Sequence, residues 1–346
     1  MSGQGTGLVN LGNTCYLNST VQCLTNTTLF KDEWFDKDHI HPERKGAKLT
    51  EEFANLIEEL NSTRNKKVNP RMFVKHFIER AHEFNPDIRI GAPADADEAV
   101  HIILDSLHVQ LARVVQMEIS GADNVTLLSQ EQLEYVKSLQ SWSTFFKLEY
   151  SPLINAFFGQ TQIKLSCWFC SASSTRYEPW DLLKLEIPGA NIVGGPAPSL
   201  AECLSSAFAS ETPDDYTCDM CKKKGTTQKD LSISRFPNTL IISLKRFTNS
   251  GAKIRARIAY DADCVDLKKW RTWSQDRDEC EYRVVSTIEH IGTSRGGHYF
   301  ARCRDDDNSL KDDDNSWKAY DDDSVSPCLN GGSATPDTYV LFLEHC

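Results

Sequence analysis

A cysteine, a histidine and a run of aspartates, each in a distinctive local setting, are the residues of this chain best suited to nucleophilic chemistry. Cys15 lies in GLVNLGNTCYLNSTVQCL, residues 7–24, where a polar turn gives way to Tyr16, Leu17, Val21 and Leu24 at helical spacing. Thr14 or Asn13 can cap the start of that helix with a side-chain oxygen. Cys15 then sits at a helix N-terminus, where the helix dipole favours the thiolate, the form that attacks a carbonyl carbon. The alternative is a buried structural cysteine, the commoner fate of a free thiol and the one expected of Cys23.

A nucleophilic thiol needs a base and a group that orients the base. Among nine histidines, His298 stands apart in GTSRGGHYFARCR, residues 292–304. Gly296 and Gly297 permit a tight turn or a close backbone approach before it, and the alternation after it reads as a strand. His82, His101 and His108 fall on helix-like runs and have no special setting. In WKAYDDDSVS, residues 317–326, Asp321, Asp322 and Asp323 follow a short aromatic strand. One of them can accept the imidazole N–H and hold its tautomer. A solvated acidic turn is the alternative, and the expected state of Asp323. The three segments lie far apart in the chain, so only a fold can join them.

Twelve cysteines include two CxxC pairs, Cys167 with Cys170 and Cys218 with Cys221. Each pair can chelate one side of a tetrahedral Zn²⁺ ion, and two hairpin tips brought together by a sheet would complete the site. A redox CxxC is the competing idea, but two such pairs on strand-flanked turns favour zinc. The other cysteines show no disulfide framework. No signal peptide and no apolar run of transmembrane length is visible, which implies a reducing compartment, cytosol or nucleus, and no secretion or membrane association. The chain has 346 residues, 40% of them hydrophobic, enough for a large core. A net charge of −11 argues against a nucleic-acid partner. Part of that charge sits in DDDNSLKDDDNS, residues 305–316, which reads as a solvated hairpin loop.

The elements that must position these residues are legible in outline. Residues 50–60 read as a helix capped by Thr50, with Phe53, Leu56, Ile57 and Leu60 on one face. Asn69-Pro70 opens a second, with Phe73, Phe77 and Ile78 inside. Residues 97–115 give the clearest helix, with Val100, Ile103, Leu104, Leu107 and Leu111 at three-four steps. Residues 128–140 fit a helix or a surface loop. After about residue 155 the pattern turns to strands: 231–236, 239–247, 282–288, 298–304 and 339–343, with a further strand and surface loop expected in 253–270. Residues 191–199 form a Gly/Pro connector.

Residues 7–24 and 291–324 resemble the cysteine and histidine boxes of the ubiquitin-specific proteases, papain-like deubiquitinating enzymes. FFGQTQIKLSCWFC, residues 157–170, and YTCDMCKKKGTTQKDLSISRFPNTLIISLKRF, residues 216–247, look like that family's two zinc knuckles and the strands that follow, and YVLFL, residues 339–343, like its closing strand. The resemblance runs in family order over nearly the whole chain. It implies an α+β fold in a single catalytic domain: a helical thumb (about 1–150), β-rich zinc-bearing fingers (about 155–247) and a β-sheet palm (about 248–346). It makes Cys15 the nucleophile, His298 the general base, Asp321 the third triad member, Asp322 an assisting neighbour and Asn10 a donor to the oxyanion. Cys167, Cys170, Cys218 and Cys221 become ligands of a structural Zn²⁺. The expected partners are ubiquitin, whose C-terminal tail carries arginine, polyubiquitin and ubiquitinated proteins. The family's Gln-Gln-Asp-Ala-x-Glu stretch appears here as Pro93-Ala94-Asp95-Ala96-Asp97-Glu98. Both glutamines are missing, but Asp95 and Glu98, which would contact the ubiquitin tail, remain. Helix capping is the alternative role for these acids. Two other functions stay open: a protease for another ubiquitin-like modifier, and an inactive ubiquitin-binding module.

Overall fold

A computed structural model describes residues 5–31, 37, 40–62, 67–119, 128–189, 197–248, 250–273, 280–293, 296–305 and 316–346. Most of the connector at 191–199 and of the acidic run at 305–316 lies outside them. The N-terminal part is helical: α1 (Cys15–Thr25), α2 (Thr28–Lys31), α3 (Ala47–Asn61), α4 (Arg71–Ala81), α5 (Ala96–Leu111), α6 (Gln130–Phe146) and α7 (Pro152–Phe157). Two short strands, β1 (Gly7–Leu8) and β2 (Lys67–Val68), pair in parallel within it.

The segment left open between helix and loop is α6, started by a capping box in which the Ser129 hydroxyl accepts from Gln132 N–H and the Gln132 side chain accepts from Ser129 N–H. Thr50 is not a cap. The helix starts a turn earlier, after Gly46, and Thr50 is buried inside it. The helix expected over 97–115 stops at Leu111, because Arg113 exchanges main-chain hydrogen bonds with Tyr150.

Two sheets follow. β3 (Gly159–Cys167), β4 (Ser173–Trp180) and β6 (Thr227–Arg235) form an antiparallel three-stranded sheet in the order β4–β3–β6. The larger sheet has eight strands. Its main path is β12 (Ser324–Pro327), β11 (Trp317–Asp321), β10 (Gly296–Arg304), β9 (Glu281–Thr293), β13 (Thr338–His345), β7 (Thr239–Lys245) and β5 (Leu183–Glu186), and β8 (Val265–Asp266) pairs with the start of β9. Residues 253–260 do not extend this sheet. Their isolated bridges, Lys253 to Phe247 and Ala259 to Ser199, lie outside its strands, and the Arg246 guanidinium takes Ile254 O and Ala256 O.

The eight-stranded sheet is covered on both faces, which is why β7 and β13 read as nearly unbroken apolar runs. On one face Ile241, Ile288, Val340 and Phe342 meet α1, α3, α4 and α5. On the other, Leu240, Ile242, Leu341 and Leu343 meet α8 (Leu200–Ala207) and Trp270. Helix α1 lies in the first of these cores and is buried on every side from Cys15 to Leu24, not only on its apolar stripe. Its polar residues are satisfied inside: Gln22 donates to Thr6 O (2.9 Å) and Thr20 to Tyr16 O (2.8 Å). Among the described residues no helix is long and apolar enough to cross a membrane.

Candidate active site

The chain runs from β1 through a polar turn into α1, and Cys15 is the first helical residue. The expected side-chain cap is absent. Thr14 takes the N-cap place, but its hydroxyl accepts from Leu11 N–H (2.9 Å), and Asn13 turns through a left-handed φ of 54° to donate to Gly91 O (2.7 Å). The turn is tied by Asn10 instead, whose Oδ1 accepts from Gly12 N–H (2.9 Å) and Thr14 N–H (3.2 Å). No side chain caps the first turn, and the main-chain groups of Tyr299, Tyr16 and Cys15 itself lie near enough to the sulfur to favour its charged form. The Tyr299 contact sets Cys15 against the first residues of β10, beside His298.

Burial nonetheless pushes the Cys15 thiol up from its ordinary value; the Tyr299 hydrogen bond opposes this and the nearby Asp322 carboxylate adds to it. This corrects the expectation from sequence of a dipole-stabilised thiolate. Desolvation of a side chain only 7% exposed outweighs the helix end.

His298 lies on β10 opposite Ile291 of β9, and its Nε2 bonds Asp321 Oδ1 at 2.5 Å. With Nε2 engaged, Nδ1 is the ring nitrogen left for another partner. Gly297 explains its own place in the sequence: a Cβ there would collide with the His290 imidazole and the Ile291 carbonyl, so a close approach, not a turn, requires glycine.

The three aspartates part company at the β11–β12 hairpin, where Asp321 pairs with Ser324 and Asp322 turns through a left-handed φ of 51°. Asp321 takes the histidine. Asp322 points back to the cysteine turn, accepting from Asn10 Nδ2 (2.9 Å) and Asn18 Nδ2 (2.7 Å). Asp323 is not simply solvated, since it pairs with Lys67 at 3.1 Å, both side chains exposed. Asn10 keeps one amide hydrogen beyond the one given to Asp322.

A cleft of about 350 Å³ opens on Cys15 and is walled by Asp95, Glu98, Gly297 and His290. Asp95 precedes α5 without capping it and accepts from the Tyr299 hydroxyl at 3.4 Å. Burial, and after it the nearby Asp97 carboxylate, push its carboxyl up. Glu98 accepts from Asn85 at 3.0 Å. Two residues of this site escaped the sequence reading. Asn18, which fixes Asp322, carried a signal: an amide one turn after Cys15 on a helix that has to be buried. His290 had only its place in an apolar strand. It is wedged among Phe247, Tyr299 and Tyr339 and pushed down to about 4 by burial and by the Lys253 cation.

At the far end of the three-stranded sheet the four predicted cysteines converge. Their sulfurs lie within 4.8 Å of one another, with Cys167–Cys221 at 3.8 Å and Cys170–Cys218 at 3.7 Å. Four thiolates bound tetrahedrally to Zn²⁺ at about 2.3 Å would stand about 3.8 Å apart, so this donor set fits a metal ion. The closest contacts run between the two CxxC turns and not within either, as a shared metal needs and a redox pair does not.

A thiol at the head of a buried helix packed on the strand that carries a histidine, itself bonded to an aspartate of the next strand, is the arrangement on which cysteine hydrolases are built, and the α+β architecture is that of ubiquitin-specific protease catalytic domains. The chain belongs to the ubiquitin carboxyl-terminal hydrolase family, whose profile matches residues 6–343. Ubiquitin carboxyl-terminal hydrolase 2 of Bos taurus is 32% identical over 99% of this chain and 55% of its own length, and the Homo sapiens protein of that name 31% identical over 99% and 56%. The chain thus spans about half the length of these relatives. A SAGA DUB module of Ubp8, Sgf11, Sus1 and Sgf73 bound to monoubiquitin has the same fold, with a TM-score of 0.71 at 20% identity over 99% of this chain and 69% of its own. The same module bound to ubiquitin aldehyde gives 0.69.

Proposed function

We propose that the protein is a deubiquitinase, a thiol isopeptidase that hydrolyses the bond between the C-terminal glycine of ubiquitin and a lysine or peptide amine. The observation that carries this is the 2.5 Å bond from His298 Nε2 to Asp321, which leaves Nδ1 for the Cys15 proton, in a chain of this family. The thiol is held neutral by burial, so His298 acts as a general base when substrate is bound, not through a standing ion pair. Nδ1 takes the proton as sulfur attacks the glycine carbonyl carbon. The oxyanion is met by the free amide hydrogen of Asn10 and by main-chain N–H groups near Cys15, a type of contact that supplies about 3 kcal/mol in related chemistry. Asp322 positions Asn10. The C–N bond breaks, and the imidazolium gives its proton to the leaving amine. Water, deprotonated by Nδ1, then hydrolyses the thioester and returns free ubiquitin and the thiol.

In this reading Asp95 and Glu98 receive the arginine-bearing tail, and the four-cysteine cluster holds a structural Zn²⁺ that takes no part in the reaction. The parts correspond to a thumb (about 1–150), fingers (about 155–247) and palm (about 248–346), the partners are ubiquitin, polyubiquitin and ubiquitinated proteins, and the free thiols suit cytosol or nucleus. Pro93 and Ala94, which stand in the cleft wall where the family has glutamines, favour one second reading, a protease for another ubiquitin-like modifier. Parallel cleavage of fluorogenic ubiquitin and of other modifier substrates, by the protein and by Cys15→Ala, decides between them. Cleavage of none would refute both.

A further inference from the structure

Beside the cleft, and sharing Asp95 and Glu98 with it, lies a second hollow of about 500 Å³ completed by Asp97, His101, Asp181, Leu182 and Lys184. Its charges are not equivalent. Asp97 is buried and already satisfied, by Lys184 at 3.0 Å and the Ser243 hydroxyl at 3.1 Å. Glu98 is held by Asn85. Asp181, in the turn between β4 and β5, has a single side-chain partner among the described residues, His101 Nδ1 at 2.7 Å. The Asp181 side chain is 18% exposed and that of His101 is 53% exposed. The carboxylate thus sits in the wall, while the imidazole covering it is half exposed to solvent.

Resting on the deubiquitinase reading, we propose that Asp181 is a further specificity-determining residue, a subsite for a cationic side chain of the substrate's extended tail, and that His101 competes with that side chain for it. The position supports this. The hollow shares Asp95 and Glu98 with the cleft that opens on Cys15, so Asp181 stands beside acids that line the approach to the thiol. Other charges leave the competition to these two groups. On α5, Asp105 is drawn to Arg80 at 2.6 Å, and Arg80, from α4, also lies over Phe84, whose ring meets the His101 edge. On β5, Lys184 belongs to Asp97.

The consequence is a pH dependence of known sign. The bond to Asp181 raises His101 above its ordinary value. Below that value His101 is an imidazolium paired with Asp181, and an incoming cation has to displace it. Above it His101 is a neutral imidazole, which an incoming cation displaces from Asp181 more easily. Affinity for a basic tail therefore rises with pH and then levels off.

The test is the Kd of the Cys15→Ala protein for monoubiquitin between pH 5.5 and 8.5, in three backgrounds: otherwise unchanged, with His101→Gln, and with Asp181→Asn. The first is expected to tighten about fivefold as pH rises, the scale of one partly exposed charge pair. His101→Gln is expected to be flat at the tight level and Asp181→Asn flat at the weak level. Ubiquitin whose tail arginines are replaced by alanine is expected to show no such slope in the first background. The same slope in His101→Gln, or unchanged affinity in Asp181→Asn, would overturn the proposal while ubiquitin cleavage by the unsubstituted protein kept the deubiquitinase reading intact. No binding at any pH together with no cleavage would overturn that reading, and this subsite with it.

Discussion

The surroundings of Cys15 and the tip of the three-stranded sheet are organised by opposite means. Around Cys15 the scaffold is packed on all sides: α1 is buried from Cys15 to Leu24, and the sheet beneath it has a core on each face. Onto that scaffold a few polar bonds fix the site, Asp321 to His298 and Asp322 to Asn10 and Asn18. At the sheet tip there is little to bury. Trp168, Phe169 and Met220 are 59%, 56% and 76% exposed; pairing of β3 with β6 and the bond from Trp168 N–H to Thr226 O join the two turns, and the sulfurs of Cys167, Cys170, Cys218 and Cys221 converge between them. Where apolar area is plentiful, position comes from packing and side chains are released for chemistry. Where it is scarce, four thiols converge, the kind of donor set by which other small units without a core are held.

Each side of this contrast can be tested. The largest effect is expected from Cys15→Ala: a loss of at least about ten-thousandfold in kcat/KM, with ubiquitin Kd within a fewfold, because the tail contacts do not use the sulfur. Residual turnover of a few per cent would remove Cys15 from the reaction. At the other pole, zinc analysis should find one ion per chain bound by the four cysteines. Cys170→Ser should cost several kcal/mol locally, seen as lost hydrogen-exchange protection in β3, β4 and β6 with β9 and β10 unchanged. Loss spread evenly over both sheets would end the distinction between the two regions.

Asp321→Ala should lower kcat about a hundredfold, roughly 3 kcal/mol, by freeing the imidazole. Asp322→Ala should fall short of that singly and deepen the loss in the double variant, since it holds Asn10 and does not itself bond His298. Equal, mild losses for Asp321→Ala and Asp323→Ala would mean that His298 is oriented from elsewhere.

His290 gives a pH test of the packed side. Its folded value of about 4 lies below the ordinary 6.5, so between about 6.5 and 4 the unfolded chain binds a proton that the folded chain refuses. Stability is then full above this window and falls by up to about 3 kcal/mol as pH drops through it. Urea midpoints should show that slope, and His290→Gln should flatten it. The smallest effect is Asp323→Ala, a few tenths of a kcal/mol in stability with unchanged kcat, because its pair with Lys67 is exposed on both sides.

How far the sequence could be read depended on whether a feature was local. The start of α1 at Cys15, the strand after Gly297 and the two CxxC turns were visible in windows of a few residues. Neither Thr14 nor Asn13 caps α1 with its side chain, because the hydrogen bonds that tie the turn come from Asn10 and, through it, from Asp322. Thr50 was misread because a residue that could cap a helix was buried by Ser106, on the helix packed beside it. Of the strand expected in 253–270 only Val265–Asp266 forms, as β8; further upstream the Arg246 guanidinium takes the carbonyls of Ile254 and Ala256.

The sequence by itself determined the chemical inventory of this protein: a thiol at a helix start, an imidazole behind a pair of glycines, carboxylates at a hairpin and four metal-type cysteines. Residue type and local spacing fix these, since bond-forming capacity is a property of each side chain and a helix or turn needs only near neighbours. The resemblance already singled out Asp321, but only the tertiary structure showed its bond to His298, that Asp322 turns instead to Asn10 and Asn18, and that burial raises the Cys15 thiol. Those outcomes depend on which way a hairpin turns each side chain and on how much water is removed around each charge, and both are set by segments that meet only when the chain is folded.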